Sequence, residues 1–151
     1  MPNRGKAFEK YFKAQIQEQL PEAYVYRLYD IFDYRCISNP CDFFVFLRPS
    51  FIMCELKTCQ GASMPSKNIS DYQLQSMTEA SKIRGLKAYT IIWFYEKSIC
   101  LMFKTKYLYK LFIEKGKKSV SYKDPNGIEV PVIKALKKYN IWDWSVLKKA
   151  R

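Results

Sequence analysis

The chain has 151 residues, 48% of them hydrophobic, which fits one domain able to bury a respectable core. Its 26 Lys+Arg stand against 14 Asp+Glu, a net +12, and a field of that sign attracts nucleic acid or acidic membrane. With no histidine at all, Ser-His-Asp and Cys-His nucleophilic sites, His-ligated zinc and histidine general bases are excluded, so chemistry must run on carboxylates, lysine, tyrosine, serine or cysteine.

Residues 6–20 read as an amphipathic helix: Phe8, Phe12, Ile16 and Leu20 recur at helical spacing, Tyr11 and Gln15 lie beside them, and Pro21 stops the run. The positive charge ahead of it leads into this polar helix, not into an apolar signal core. Uncharged runs such as 88–95 fall far short of the roughly 20 apolar residues a membrane span needs. The expectation is a soluble, cytoplasmic protein with no membrane partner. Residues 23–29 alternate and are rich in tyrosine, as a strand does. Residues 41–47 are an apolar aromatic run, Arg48-Pro49-Ser50 is a turn signal, and 51–57 form a second strand of a hairpin.

The next stretch, 58–67, carries Gly61, Pro65 and small polar residues and reads as a loop. Ser70-Asp71-Tyr72-Gln73 has capping-box spacing, with Ile69 and Leu74 placed as a hydrophobic staple, so a helix should run to about Arg84 and stop at Gly85. Two apolar strands follow over 86–95 and 98–103, then a short helix over 105–115 ending at Gly116. Asp124-Pro125-Asn126-Gly127 is a turn, and the remainder reads as an irregular basic tail. This mixed order favours an α/β domain with a central mixed β-sheet flanked by helices. No repeat or long linker divides it, so 1–151 is expected to be a single domain. Cys36, Cys41, Cys54, Cys59 and Cys100 are odd in number and scattered, which suits reduced thiols. Cys36-x4-Cys41 and Cys54-x4-Cys59 could supply four zinc ligands, but the spacing is imperfect and Cys41 and Cys54 sit in strand-like runs where buried cysteine is common.

Charge is unevenly spread. Residues 104–151 hold 13 Lys+Arg against 4 Asp+Glu, a net +9, with lysines alternating with Tyr107, Tyr109, Phe112 and Tyr122. A solvated helix face would look similar; a charge density this high favours a phosphate-binding surface, packed on or extending from the domain.

Few charges interrupt the central strands. Asp42 opens the first, and Glu55 and Lys57 close the second. Strand alternation puts Glu55 and Lys57 on one face, Cys54 and Leu56 on the other, and a hairpin lets Asp42 approach the same end. Carboxylate oxygens suit Mg²⁺, which can acidify a water and stabilise charge on a phosphoryl oxygen, while the lysine orients or deprotonates the water or screens charge. That set supplies phosphodiester hydrolysis without histidine. Its structural alternative is an ordinary salt bridge at a strand end.

Pro40-Cys41-Asp42 with Glu55-Leu56-Lys57 resembles the PD-(D/E)xK nuclease signature. Met64-Pro65-Ser66-Lys67-Asn68-Ile69, Gln73 and Met77, the opening Asn3-Arg4-Gly5-Lys6 with Glu9, and Gly116-Lys117-Lys118-Ser119-Val120 extend the likeness to the RecU family of Holliday junction resolvases. The resemblance implies a restriction-endonuclease-like fold and a homodimeric endonuclease, dependent on Mg²⁺ with Mn²⁺ as substitute and no small-molecule cofactor, that cuts four-way DNA junctions. It implies that Asp42, Glu55 and Glu9 ligate the metal, that Lys57 is the catalytic lysine, and that Gln73 reaches the metal site or the scissile phosphate; the capping box explains Gln73 equally well. Arg4, Lys6, Lys67, Lys117 and Lys118 are the expected DNA contacts. Two departures stand out: family members carry a long stalk before the aspartate, where this chain has only a short connection near 30–38, and histidines near the second helix are replaced by Ser70, Tyr72 and Ser76. The short form leans towards a phage-type member. Alternatives are the same chemistry on other branched, nicked or duplex DNA, or a noncatalytic nucleic-acid-binding domain.

Overall fold

The structure, a computed structural model, describes residues 3–29 and 38–149. Helix α1 (Arg4–Gln19) begins where the Asn3 side chain accepts from the Lys6 N–H at 3.1 Å, and it turns Phe8, Phe12 and Ile16 fully inward. Strand β1 (Tyr24–Arg27) leads to β2 (Phe43–Leu47) and β3 (Ser50–Cys59), a hairpin in which Leu47 lies opposite Ser50. Then come β4 (Ser63–Pro65), a 3-10 turn (Ser66–Asn68) and α2 (Asp71–Ala80). Strands β5 (Leu86–Phe94) and β6 (Ile99–Lys104) precede α3 (Thr105–Tyr109), which widens into a π turn over Lys110–Glu114. The chain closes with β7 (Ser119–Ser121), β8 (Ile128–Glu129), β9 (Val132–Ala135), β10 (Asn140–Trp142) and α4 (Val146–Lys149).

The main sheet runs β1-β2-β3-β5-β6-β8. Only the central pair, β3 with β5, is parallel, and α2 is part of the crossover between them. Alternation along β3 divides two cores. Cys54 and Leu56 face α1 with Tyr89, Ile91, Trp93 and Met102; Cys59 lies on the other side with Leu74, Ile92, Leu101 and Phe103, where α2 and α3 pack. This is the expected mixed α/β architecture with helices on both faces.

Three expectations need correction. The segment 58–67 is not all loop: β3 continues to Cys59, and β4 pairs with β7, because Met64 and Val120 lie opposite each other and bury completely or nearly so. Helix α2 ends at Ala80, not Arg84. There Ser81 Oγ donates to the Thr78 carbonyl at 2.7 Å, and the Lys82 and Ile83 N–H groups bond three residues back, tightening the chain into a turn that leaves through Gly85 at φ +88°. Nor is the end of the chain an irregular tail. β9 and β10 pair, β8 joins the main sheet, and Trp142, Trp144 and Leu147 enter the core beside Phe8 and Phe12. The Asp124-to-Gly127 turn forms as read, with the Gly127 N–H on the Asp124 carbonyl at 3.1 Å. Cys41, Cys54, Cys59 and Cys100 are buried thiols; Cys36 and the short connection at 30–37 lie outside the described residues. Among the described residues no helix is long and apolar enough to cross a membrane.

Candidate active site

Register brings the acidic residues together. Phe43 of β2 lies opposite Cys54 of β3, and the Asp42 N–H bonds the Cys54 carbonyl at 3.1 Å, so Asp42 sits beside Glu55. Asp42 Oδ2 accepts from the Leu56 N–H at 2.8 Å, which fixes the carboxylate against the strand. Glu55 is 1% exposed although charged groups at strand interiors are rarely so buried. Two neighbours hold it: Lys57 Nζ at 3.3 Å from Oε2, and Gln73 Nε2 donating to Oε1 at 3.1 Å. Burial, and then the nearby Asp42 charge, push the Glu55 carboxyl up to about 8, against the opposing pull of Lys57.

Gln73 resolves into two roles carried by different atoms. Its backbone N–H is capped by Ser70 Oγ at 3.1 Å, while its side chain leaves the cap and crosses to Glu55. The staple residues Ile69 and Leu74 are both buried, which fixes the entry of α2 and so the reach of Gln73.

Glu9 comes from the other side of the sheet, on α1. It is joined to the site by Arg27, whose guanidinium lies 2.9 Å from Glu9 Oε2, 3.8 Å from Asp42 Oδ1 and 3.1 Å from the Asp42 carbonyl oxygen. Arg27 was not singled out from the sequence. The signal was present: strand alternation puts it on the face of buried Val25, where an arginine needs a carboxylate partner.

Glu9, Asp42 and Lys57 edge a cleft of about 370 Å³ whose other lining residues are Asn3, Gly5, Lys6, Leu56, Thr58 and Asn68. Asn68, part of the Met64-to-Ile69 motif, is a second residue to which the sequence assigned no role. Of the expected DNA contacts, Lys6 lines this cleft. Lys67 lies in the 3-10 turn beside it, and the Ser66 N–H bonds the Lys118 carbonyl at 2.8 Å, so the backbones carrying Lys67 and Lys117-Lys118 are neighbours. Arg4 instead stacks on Tyr95, 4.0 Å from the ring centroid.

The oxygen donors here are Asp42, Glu9 and the amide of Asn68 at the cleft, with the buried Glu55 carboxyl beside Asp42. Two carboxylates forced together, one raised in pKa by burial first and by the other second, form a place where a hard divalent cation relieves repulsion, so these residues fit such an ion. Among the described residues no three His, Cys, Asp or Glu side chains are gathered as a complete metal cage. A cation that keeps several waters and takes substrate phosphate as ligand needs no such cage.

A mixed sheet covered on both faces, with Asp42, Glu55 and Lys57 meeting where β2 and β3 pair, has the restriction-endonuclease-like fold. The family model for recombination protein U matches residues 34–139, and the chain belongs to the RecU family of Holliday junction resolving nucleases. Its fold is similar to that of the Holliday junction resolvase Hjc from the hyperthermophilic archaeon Archaeoglobus fulgidus, with a TM-score of 0.59 and 15% identity over 83% of this chain and 95% of that one. No curated protein matches the chain by sequence. Resolvases of this superfamily depend on a divalent metal.

Proposed function

We propose that residues 1–151 form one nuclease domain that resolves four-way DNA junctions by Mg²⁺-dependent phosphodiester hydrolysis at the cleft, acting as a homodimer. The observation that carries this reading is the buried Glu55, pressed against Asp42 and held from either side by Lys57 and Gln73. A salt bridge kept only for stability has no need of a second carboxylate beside it.

In this reading Asp42 and Glu55 hold the cation, with Glu9 reaching it once Arg27 yields. The cation supplies Lewis acidity towards a phosphoryl oxygen and a more acidic attacking water. Lys57 places its ammonium at the cleft wall, where it orients the water and screens charge developing on the phosphorane-like transition state. Gln73 sets the rotation of the Glu55 carboxylate. Lys6, Lys67, Lys117 and Lys118 grip the flanking backbone, and Arg4 joins them from its stacked position on Tyr95. Two symmetric cuts need two sites, which a twofold dimer provides. The exposed rings of Tyr24, Tyr26 and Phe46, neighbours on the β1 edge of the sheet, support a second copy docking there.

The test uses labelled four-way junction, flap and linear duplex with Mg²⁺, Mn²⁺ or EDTA. Paired symmetric nicks in the junction, abolished by EDTA and by Glu55→Ala with junction binding retained, are expected. Equal cutting of linear duplex would move the substrate to general duplex DNA. Binding without cutting under any metal would leave a noncatalytic DNA-binding domain.

A further inference from the structure

At the far end of α2 from Gln73, the turn between α2 and β5 faces the junction of β6 with α3 across a pocket of about 290 Å³. Five of the residues lining it are cations: Lys82, Arg84, Lys87, Lys104 and Lys106. No carboxylate among the described residues lines it, although Glu79 pairs with Lys82 at 3.0 Å. The cations come from four separate segments. Lys82 and Arg84 follow the C-terminal end of α2, where positive charge complements the helix dipole, but Lys87 is on β5, Lys104 ends β6 and Lys106 is in α3. A helix end therefore accounts for two of the five. Bringing Lys104 and Lys106 to the same concavity as Arg84 costs mutual repulsion, which an anion in the pocket removes.

The backbone turns sharply at the pocket. Gly85 takes φ +88°, a conformation costly for any residue with a Cβ, and a Cβ there would meet no atom nearer than 3.9 Å; the turn needs glycine for its conformation, not for space. Ala88 and Tyr89 give the pocket a buried floor. From Gln73, whose amide touches Glu55, to Ser81 is eight residues of helix, or about 12 Å along its axis. An anion in the pocket is too far from Glu55 to be the phosphate that is cut.

We propose that this pocket is a second phosphate-binding point of the nuclease, taking a backbone phosphate of the DNA substrate away from the scissile bond. It rests on the reading that the chain acts on DNA, and it adds Lys82, Arg84 and Lys87 to the expected contacts and joins them to Lys104 and Lys106 at the start of the basic region 104–151. Its work is to fix the direction in which the duplex leaves the cleft. Orientation matters to cutting because a small misplacement of the reacting phosphate is expensive in rate.

The test is fluorescence anisotropy of a labelled four-way junction in EDTA at rising salt, with wild type, Arg84→Gln/Lys104→Gln and Lys104→Arg. Arg84 and Lys104 are both exposed, and melting curves check that the fold is intact. The double variant should bind about tenfold more weakly, and its log-affinity against log-salt slope should be shallower by about 1–2, while Lys104→Arg keeps both values. An unchanged slope in a folded double variant, with wild type binding normally, would overturn the proposal and leave the DNA reading standing. Inorganic phosphate is titrated in parallel, followed by amide shifts at Gly85 and Lys104. Saturable shifts combined with an unaltered DNA slope in the double variant would assign the pocket to a free anion and reject the DNA contact. Failure of the wild type to bind any DNA would overturn the underlying reading and this proposal with it.

Discussion

Gln73 at the start of α2 donates its side-chain amide to Glu55 on β3 at 3.1 Å, although its position in sequence is that of a capping-box residue. Cap and reach are separable by mutation. Ser70→Ala removes only the bond to the Gln73 N–H and should cost about 1 kcal/mol of stability with cutting preserved. Gln73→Ala leaves the cap in place and frees the Glu55 carboxylate to rotate, so cutting should fall about 10–100-fold with a smaller loss of stability. Single-turnover cleavage and urea denaturation of the two variants measure this. Equal loss of cutting in both would refute the division of roles.

Arg27 links Glu9 and Asp42 across the sheet, and it competes for the carboxylates that a cation would take. Arg27→Gln keeps much of the side-chain bulk and removes the charge. Without divalent ion the variant should be less stable by about 2 kcal/mol, because partly buried carboxylates are left facing one another. Adding Mg²⁺ should then raise its melting temperature more than it raises that of the wild type, since ligand binding to the folded state stabilises it in proportion to affinity. Calorimetric scans with and without Mg²⁺ decide the point; an identical increment in both proteins would show that Arg27 and the cation do not compete.

Glu55 gives the metal-free protein a specific dependence on pH. Its carboxyl is raised from 4.5 to about 8 in the fold, by burial first and by Asp42 second. Between those values the folded chain holds a proton that the unfolded chain has released. Its contribution to stability is therefore full below about 4.5, falls as pH rises, and is lost above about 8. Glu55→Gln should flatten that fall, seen as the difference in melting temperature between variant and wild type across the window in EDTA. Divalent ion must displace the proton, so wild-type affinity for it should rise over the same range, which titration calorimetry reads.

How far the site was legible depends on which atoms make it. Asp42, Glu55 and Lys57 could be grouped from strand alternation and one hairpin, because period and register are local properties. Arg27 depends on β1 lying antiparallel to β2 and on α1 covering that face, and no local pattern states either. The five-cation pocket is assembled from two stretches, 82–87 and 104–106, that only the fold brings together, neither of them a charge run. The end of the chain is hard to read for a related reason: its lysines dominate the composition, while the residues that decide its structure are Trp142, Trp144 and Leu147, whose spacing of two and then three residues holds neither a strand nor a helix period.

The partner of those tryptophans is a glutamine on α1. Gln15, 7% exposed, donates Nε2 to the Asn140 carbonyl at 3.0 Å, and its Oε1 accepts from the Trp142 N–H at 3.0 Å and the Trp144 Nε1–H at 3.1 Å. Gln19, one turn later, repeats the pattern with the Trp142 carbonyl at 2.7 Å and the Trp144 N–H at 2.9 Å. Two side chains thus satisfy a strand edge that no other strand among the described residues pairs with on that side. Gln15→Leu matches the volume and leaves two donors and an acceptor buried without a partner, a loss of about 3 kcal/mol or more. Exposed Gln17→Leu, on the opposite side of the same helix, should cost almost nothing. Hydrogen exchange supplies the sharper readout: the Trp142 and Trp144 amides should lose protection in Gln15→Leu well before those of β3 and β5, because the β10 segment then opens on its own. Uniform loss of protection across the sheet would instead mean that the C-terminal segment unfolds only together with the nuclease core.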